Sequence, residues 1–172
     1  CAAVQTADPK RLQLVAVDQL VGERHFLLRG KNATAPEFAG RKLLARNLSD
    51  IAAMGGTPET AVVAVAIGPD QTLEWLNGFM AGIARLAEEY GVAVIGGDLA
   101  RAPNDLVGSL TILGSVASDN VVRRRGARVG DALYATGRFG ASFTTEHHLR
   151  FLPRCAEGKW LADTGIARAM ID

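Results

Sequence analysis

Cysteine, aromatic residues, excess charge and long apolar runs are all scarce in this sequence. Its two cysteines among 172 residues, Cys1 and Cys155, lie far apart and at no metal-ligand spacing. That excludes a disulfide framework and makes a reducing cytoplasm the expected compartment. Charge of neither sign dominates: 19 Lys and Arg stand against 18 Asp and Glu, a net charge of +1. Without a basic excess to displace counterions, neither nucleic acid nor an acidic membrane is an expected partner. The longest apolar run, Ala61 to Ile67, is far short of the roughly 20 residues of a membrane helix. No Walker A loop and no Rossmann GxGxxG occurs, so a nucleotide would need another architecture. No internal repeat and no low-complexity stretch is present.

What is there is 48% hydrophobic residues, enough for a real core and incompatible with a disordered chain. Leu12 to Val17 is a short, partly β-branched run ending on Asp18, which favours a buried strand. From Pro36 to Gly56, Leu44, Leu48 and Ile51 recur at helical spacing. Pro36 with Glu37 supplies the start signal and Gly55-Gly56 the stop. Thr60 to Ile67 predicts a strand, Leu73 to Tyr90 a second helix stopped by Gly91, Val92 to Ile95 and Leu106 to Val116 further strands. After a basic, turn-rich connector at Arg123 to Gly130, Asp131 to Thr136 and Ala167 to Asp172 read as strands, with a short helix around Leu161 and Ala162. The order predicts an α+β chain, a mixed β-sheet covered by helices over residues 1–126, with a second α+β domain beginning over 127–172. Because the chain opens on Cys1 and closes in a run of strand character, a fragment truncated at both ends is expected.

Aspartates recur where apolar segments end: Asp18 after LQLVAV, Asp98 after VAVIGG and Asp172 after ARAMI. A carboxylate at the mouth of a buried strand needs a partner or a cation. Several converging would suit Mg²⁺, which takes oxygen ligands, while each alone reads as an ordinary cap. Asn47 and Asp50 share one edge of the first helix, which by spacing alone reads as the solvated border of the apolar stripe. Gly96-Gly97-Asp98 with Arg101 allows close backbone approach to a ligand, though glycine pairs also make plain turns. Arg123, Arg124 and Arg125 form either a solvated connector or a phosphate contact. His25 is a lone histidine, His147 and His148 adjoin a loop, and Trp75 and Trp160 read as packing residues.

Taken together, these segments carry a resemblance. The run Asn47-Leu48-Ser49-Asp50-Ile51-Ala52-Ala53-Met54-Gly55 resembles the NLSD-x-AAMG helix of the thiamine-monophosphate kinase family, within the ATP-binding superfamily of aminoimidazole ribonucleotide synthetase. Asp18-Gln19-Leu20-Val21 with His25-Phe26, Gly96-Gly97-Asp98 with Arg101, and Arg124 with Gly126-Ala127-Arg128 follow in the family's order. The resemblance implies transfer of the γ-phosphoryl group of ATP to thiamine monophosphate, giving thiamine diphosphate. It implies several Mg²⁺ ions held by Asp18, Asp50, Asp98 and Asp172. It further implies nucleotide contacts from Gly97, Asp98 and Arg124, a substrate contact from His25, and a homodimer formed through the sheets. Val17 and Gln19 beside Asp18, and Leu99 and Ala100 after Asp98, replace hydroxyl residues usual in the family. Two other readings stay open: a selenophosphate synthetase-like enzyme of the same superfamily, and a degenerate paralogue that binds nucleotide or a thiamine phosphate without turnover.

Overall fold

Alternation of apolar and polar residues builds the centre of the sheet. In the computed structural model, which describes residues 1–172, β1 (Ala2–Gln5), β2 (Arg11–Val21), β3 (Thr57–Ile67), β4 (Ala93–Arg101) and β5 (Val107–Ala117) form one sheet in the order β1-β2-β5-β3-β4. Neighbours are antiparallel except β3 and β4, which run parallel. Leu12, Leu14, Ala16 and Leu20 of β2, Leu110 and Ile112 of β5, and Ala61, Val63 and Val65 of β3 point to one face and are buried there. Asp18 occupies the same inward register of β2, between Ala16 and Leu20.

Two helices cover that face. α1 (Pro36–Ala53) has proline in its first turn, where the missing N–H costs nothing, and ends before Gly55 at φ +71°. α2 (Leu73–Glu89) is capped by Thr72, whose hydroxyl accepts the Trp75 N–H at 3.1 Å. Leu43, Leu44, Leu48 and Ile51 of α1 join Leu76, Phe79, Ile83 and Leu86 of α2 in the same apolar cluster as the strands. The helices approach so closely that a Cβ on Gly40 would overlap the Phe79 carbonyl. The opposite face of the sheet carries no helix, and Val17 and Val62 are exposed on it.

Beyond β5, α3 (His147–Arg150) and α4 (Cys155–Thr164) pack on α1. The Arg41 guanidinium donates to the carbonyls of Leu149 and Phe151 at 3.1 and 2.8 Å, and Leu149 joins the main core. The α+β class and the mixed sheet expected from the sequence are present, with differences in detail. β1 was not foreseen, and β4 does not turn at Gly96. It continues through Gly97 and Asp98, paired with Val63 and Ala64, to Arg101. The missing Cβ of Gly97 admits the β3 backbone, since a side chain there would overlap the Val63 carbonyl. Residues 131–136 and 167–172 are not strands. No strand pairs with either, Leu133 and Tyr134 are exposed, and the second segment keeps a backbone bond from Met170 N–H to the Arg123 carbonyl at 3.2 Å. Trp75 stacks between Phe26 and Phe79 as a packing residue, whereas Trp160 is mostly exposed.

Candidate functional site

The inward register that buries Leu14 and Ala16 also carries Asp18 under α1, where Arg46 meets it with Nε 3.2 Å from Oδ2. Arg46 also donates to the Gln19 carbonyl at 3.1 Å. Asp50 follows one helical turn later, so Lys42, Arg46 and Asp50 lie at successive i, i+4 positions along one side of α1. Burial pushes the Asp18 carboxyl above the ordinary range; Arg46 pulls it back and the charge of Asp172 adds to the rise. Asp50 is likewise raised, first by burial and then by the charges of Asp172 and Asp18. Three carboxylates from β2, α1 and the end of the chain therefore share one field.

Beside them is a cavity of about 360 Å³, lined by Asp50, Met54, Arg123, Arg124, Arg125 and Asp172 among others. Acidic and basic residues thus share one lining, which is able to receive a cation and a polyphosphate together. Of the residues expected from the sequence, Asp18, Asp50, Asp172 and Arg124 are brought to this region. Gly97 and Asp98 are not; they lie on β4, exposed along its length, and Asp98 is absent from the charges that act on Asp18 or Asp50.

The aspartates do not form a ready-made metal cage, for nowhere do three His, Cys, Asp or Glu side chains stand at metal-gripping geometry. Their chemistry nevertheless fits a hard divalent cation: oxygen donors, partly desolvated, whose mutual repulsion a cation would relieve.

His25 sits on the loop after β2, and its Nδ1 accepts the Val21 N–H at 2.9 Å, leaving the ring proton on Nε2. Glu23 accepts the Leu28 N–H at 3.0 Å, and Arg29 reaches Asp105 at 2.7 Å and Asp70 at 3.3 Å, tying this loop to the two neighbouring connections. Beneath it the Lys42 ammonium donates to the His25 carbonyl at 2.6 Å and to His148 Nδ1 at 2.7 Å. Burial, with Arg46 nearby, lowers the Lys42 pKa to about 8. Burial lowers both imidazoles as well, helped at His25 by Arg46 and Lys42 and at His148 by Lys42. Lys42, Arg46 and His148 were not anticipated as site residues. The four-residue spacing from Lys42 through Arg46 to Asp50 was the available signal for the first two.

Comparison with known proteins bears on this arrangement. The family description "AIR synthase related protein, N-terminal domain" matches residues 1–116. The chain belongs to the AIR synthase-related family. Within that family it is similar to the thiamine-monophosphate kinase of Synechococcus elongatus, 38% identical over 86% of this chain and 44% of the relative. It is also similar to the thiamine-monophosphate kinase of Rhodopirellula baltica, 36% identical over 99% of this chain and 52% of the relative. Among solved structures, thiamine monophosphate kinase from Aquifex aeolicus superposes with a TM-score of 0.80 at 26% identity, covering 94% of this chain and 58% of that one. The chain spans about half the length of the curated relatives it matches. No helix of this AIR synthase-related domain is long and apolar enough to cross a membrane.

Proposed function

We propose that this chain serves the ATP-dependent phosphorylation of thiamine monophosphate to thiamine diphosphate, by direct transfer of the γ-phosphoryl group. The observation that carries the reading is the meeting of Asp18, Asp50 and Asp172 beside a cavity lined by Arg123, Arg124 and Arg125. Its agreement with the names of the relatives supports the choice of substrate. Phosphoryl transfer asks little covalent chemistry of a protein and much positioning and charge neutralisation. Asp18, Asp50 and Asp172 would hold Mg²⁺, several ions in all, which would neutralise charge on the phosphates of ATP. Arg124 contacts the nucleotide, and His25 presents its Nε2–H to the thiamine phosphate.

Gly97 and Asp98 stand in the same proposal as nucleotide-contacting positions, with Asp98 a fourth metal ligand. They would act across a homodimer formed through the helix-free face of the sheet, where Val17 and Val62 lie exposed. An uncovered, largely uncharged sheet face favours such pairing. Residues 127–172 then begin a second α+β domain, and free thiols at Cys1 and Cys155 suit a cytoplasmic enzyme.

The test is product analysis by the full-length protein with Mg·ATP and, separately, thiamine monophosphate and selenide. Thiamine diphosphate and ADP formed in equal amounts support the kinase. ATP consumed with selenide alone, with no thiamine diphosphate formed, points to the selenophosphate chemistry. Saturable ATP binding with no turnover on either points to the degenerate binder, which the apolar Val17 and Leu99 beside the two aspartates would favour.

A further inference from the structure

Within the acidic group, Asp18 is the carboxylate that a guanidinium grips. Arg46 sets Nε 3.2 Å from Oδ2 and donates from Nη2 to Oδ1 at 3.3 Å, so both oxygens of Asp18 face one planar fork. The remaining nitrogen, Nη1, donates to the Gln19 carbonyl at 3.1 Å and fixes the guanidinium against β2. No arginine or lysine side chain pairs with Asp50 or Asp172. The side chains of Arg46 and Asp18 are 33% and 24% exposed, so solvent screens their pair less than one on the open surface.

The placement follows from the chain. Asp18 enters from β2 in the inward register, and Arg46 stands on α1 between Lys42 and Asp50, one turn from each. After burial, Arg46 is the strongest influence on the Asp18 carboxyl, ahead of Asp172, and it favours the charged form. Mg²⁺ takes a carboxylate oxygen at about 2.0–2.1 Å in a near-octahedral shell. A dication so close and a guanidinium fork on the same two oxygens repel each other at short range. Full engagement of Asp18 by the metal therefore requires the fork to withdraw.

We infer that Arg46 is a built-in counter-cation of Asp18 that competes with a divalent metal for this carboxylate and so sets how readily the site takes Mg²⁺. The inference rests on the metal-binding part of the reading above and adds a regulator to that site. Tethered to α1, Arg46 offsets the repulsion that Asp18 would otherwise feel from the neighbouring carboxylates. A cation held by Asp50 and Asp172 displaces no guanidinium, so Asp18 is the last of the three to engage it.

The experiment is a calorimetric titration of the full-length protein with MgCl₂ at pH 8, without nucleotide. The proteins are the parent, Arg46→Met, Arg46→Lys, Asp18→Asn, and Asp18→Asn combined with Arg46→Met. Arg46→Met should bind Mg²⁺ at least about tenfold more tightly than the parent, the scale of one hydrogen bond to a charged group. Arg46→Lys, which keeps the charge and loses the fork, should show about half of that gain on a logarithmic scale. In the Asp18→Asn background, removing Arg46 should have less than half of its logarithmic effect. Equal Mg²⁺ affinity in the parent and Arg46→Met overturns the inference, as does no Mg²⁺ binding by any of the proteins. Half or more of the gain surviving without the Asp18 carboxylate also overturns it, because the charge of Arg46 would then act on the site as a whole. If Arg46→Met does not fold by circular dichroism, Arg46→Lys decides: tighter binding supports the competition, and an affinity equal to the parent's refutes it. Thiamine diphosphate formation by the parent is measured alongside. Competition by Arg46 in a protein that forms none supports the inference and refutes the kinase; product formed by a protein whose Mg²⁺ affinity ignores Arg46 does the reverse.

Discussion

Replacing Asp50 by Asn changes stability in opposite directions with and without metal. In the metal-free protein, burial and the charges of Asp172 and Asp18 hold the Asp50 carboxyl above its ordinary range. A carboxyl whose pKa is raised by folding leaves the folded state holding more protons than the unfolded one. Stability then falls as pH rises through that window, and the penalty is complete at pH 7. The neutral amide escapes it, so metal-free Asp50→Asn should be at least as stable as the parent at pH 7. Mg²⁺ reverses the order. A ligand at one hundred times its Kd stabilises the folded state by about 2.7 kcal/mol, which raises the Tm of a chain this size by roughly 5–10 °C. A tenfold loss of affinity from removing one carboxylate takes away about 1.4 kcal/mol, or roughly 3–6 °C of that shift. Melting curves of both proteins at pH 7, with and without MgCl₂, measure both effects. Equal Mg²⁺ shifts, or a metal-free variant melting well below the parent, would refute the assignment of Asp50 to a cation site.

Gly40→Val drives a side chain into the Phe79 carbonyl and should cost about 1–3 kcal/mol, as overpacking does; a urea midpoint equal to the parent's contradicts the close helix contact. Lys42 has its pKa lowered by folding to about 8 from 10.5, so the unfolded state binds more protons between those values and stability should rise with pH across them. Lys42→Met should flatten that rise, and superimposable pH profiles would count against it. Val17→Lys combined with Val62→Lys places charge on the helix-free sheet face and should convert a dimer to a folded monomer in sedimentation; a dimer that persists moves the interface elsewhere. Arg41→Met removes the donors to the Leu149 and Phe151 carbonyls, and amide exchange over residues 147–153 should accelerate about tenfold, corresponding to roughly one hydrogen bond to a charged group.

The elements legible in the sequence were those whose partners could be inferred from their own periodicity. Leu44, Leu48 and Ile51 announce the buried side of α1, and the alternation of Leu12, Leu14 and Ala16 announces the inner face of β2. β1 has four largely exposed residues and is a strand because β2 lies beside it, which is not written in AAVQ. The converse failed at DALYAT, whose pattern suits a strand but which no neighbouring strand pairs. Val94 and Ile95 look like core, yet β4 is an edge with both faces open. At the site, the NLSD run pointed to Asp50, but that Asp18, Asp50 and Asp172 share one field while Asp98 stands apart is a matter of chain path. Lys42 was hidden for a different reason: a lysine in a helix reads as solvated surface, and nothing local tells that α3 and the His25 loop will cover it.

The pairing of β2 with β5 sets the timetable of folding. Arg11 pairs with Ala117 and Val21 with Val107, so β2 stays without this partner until β5 has left the ribosome. At about 5–20 residues per second, Leu12, Leu14 and Leu20 wait roughly 5–20 s for β5, with β1 already beside β2. Throughout that interval a nascent chain exposes an apolar strand edge, and a translation pause before residue 107 is where aggregation or chaperone capture should concentrate.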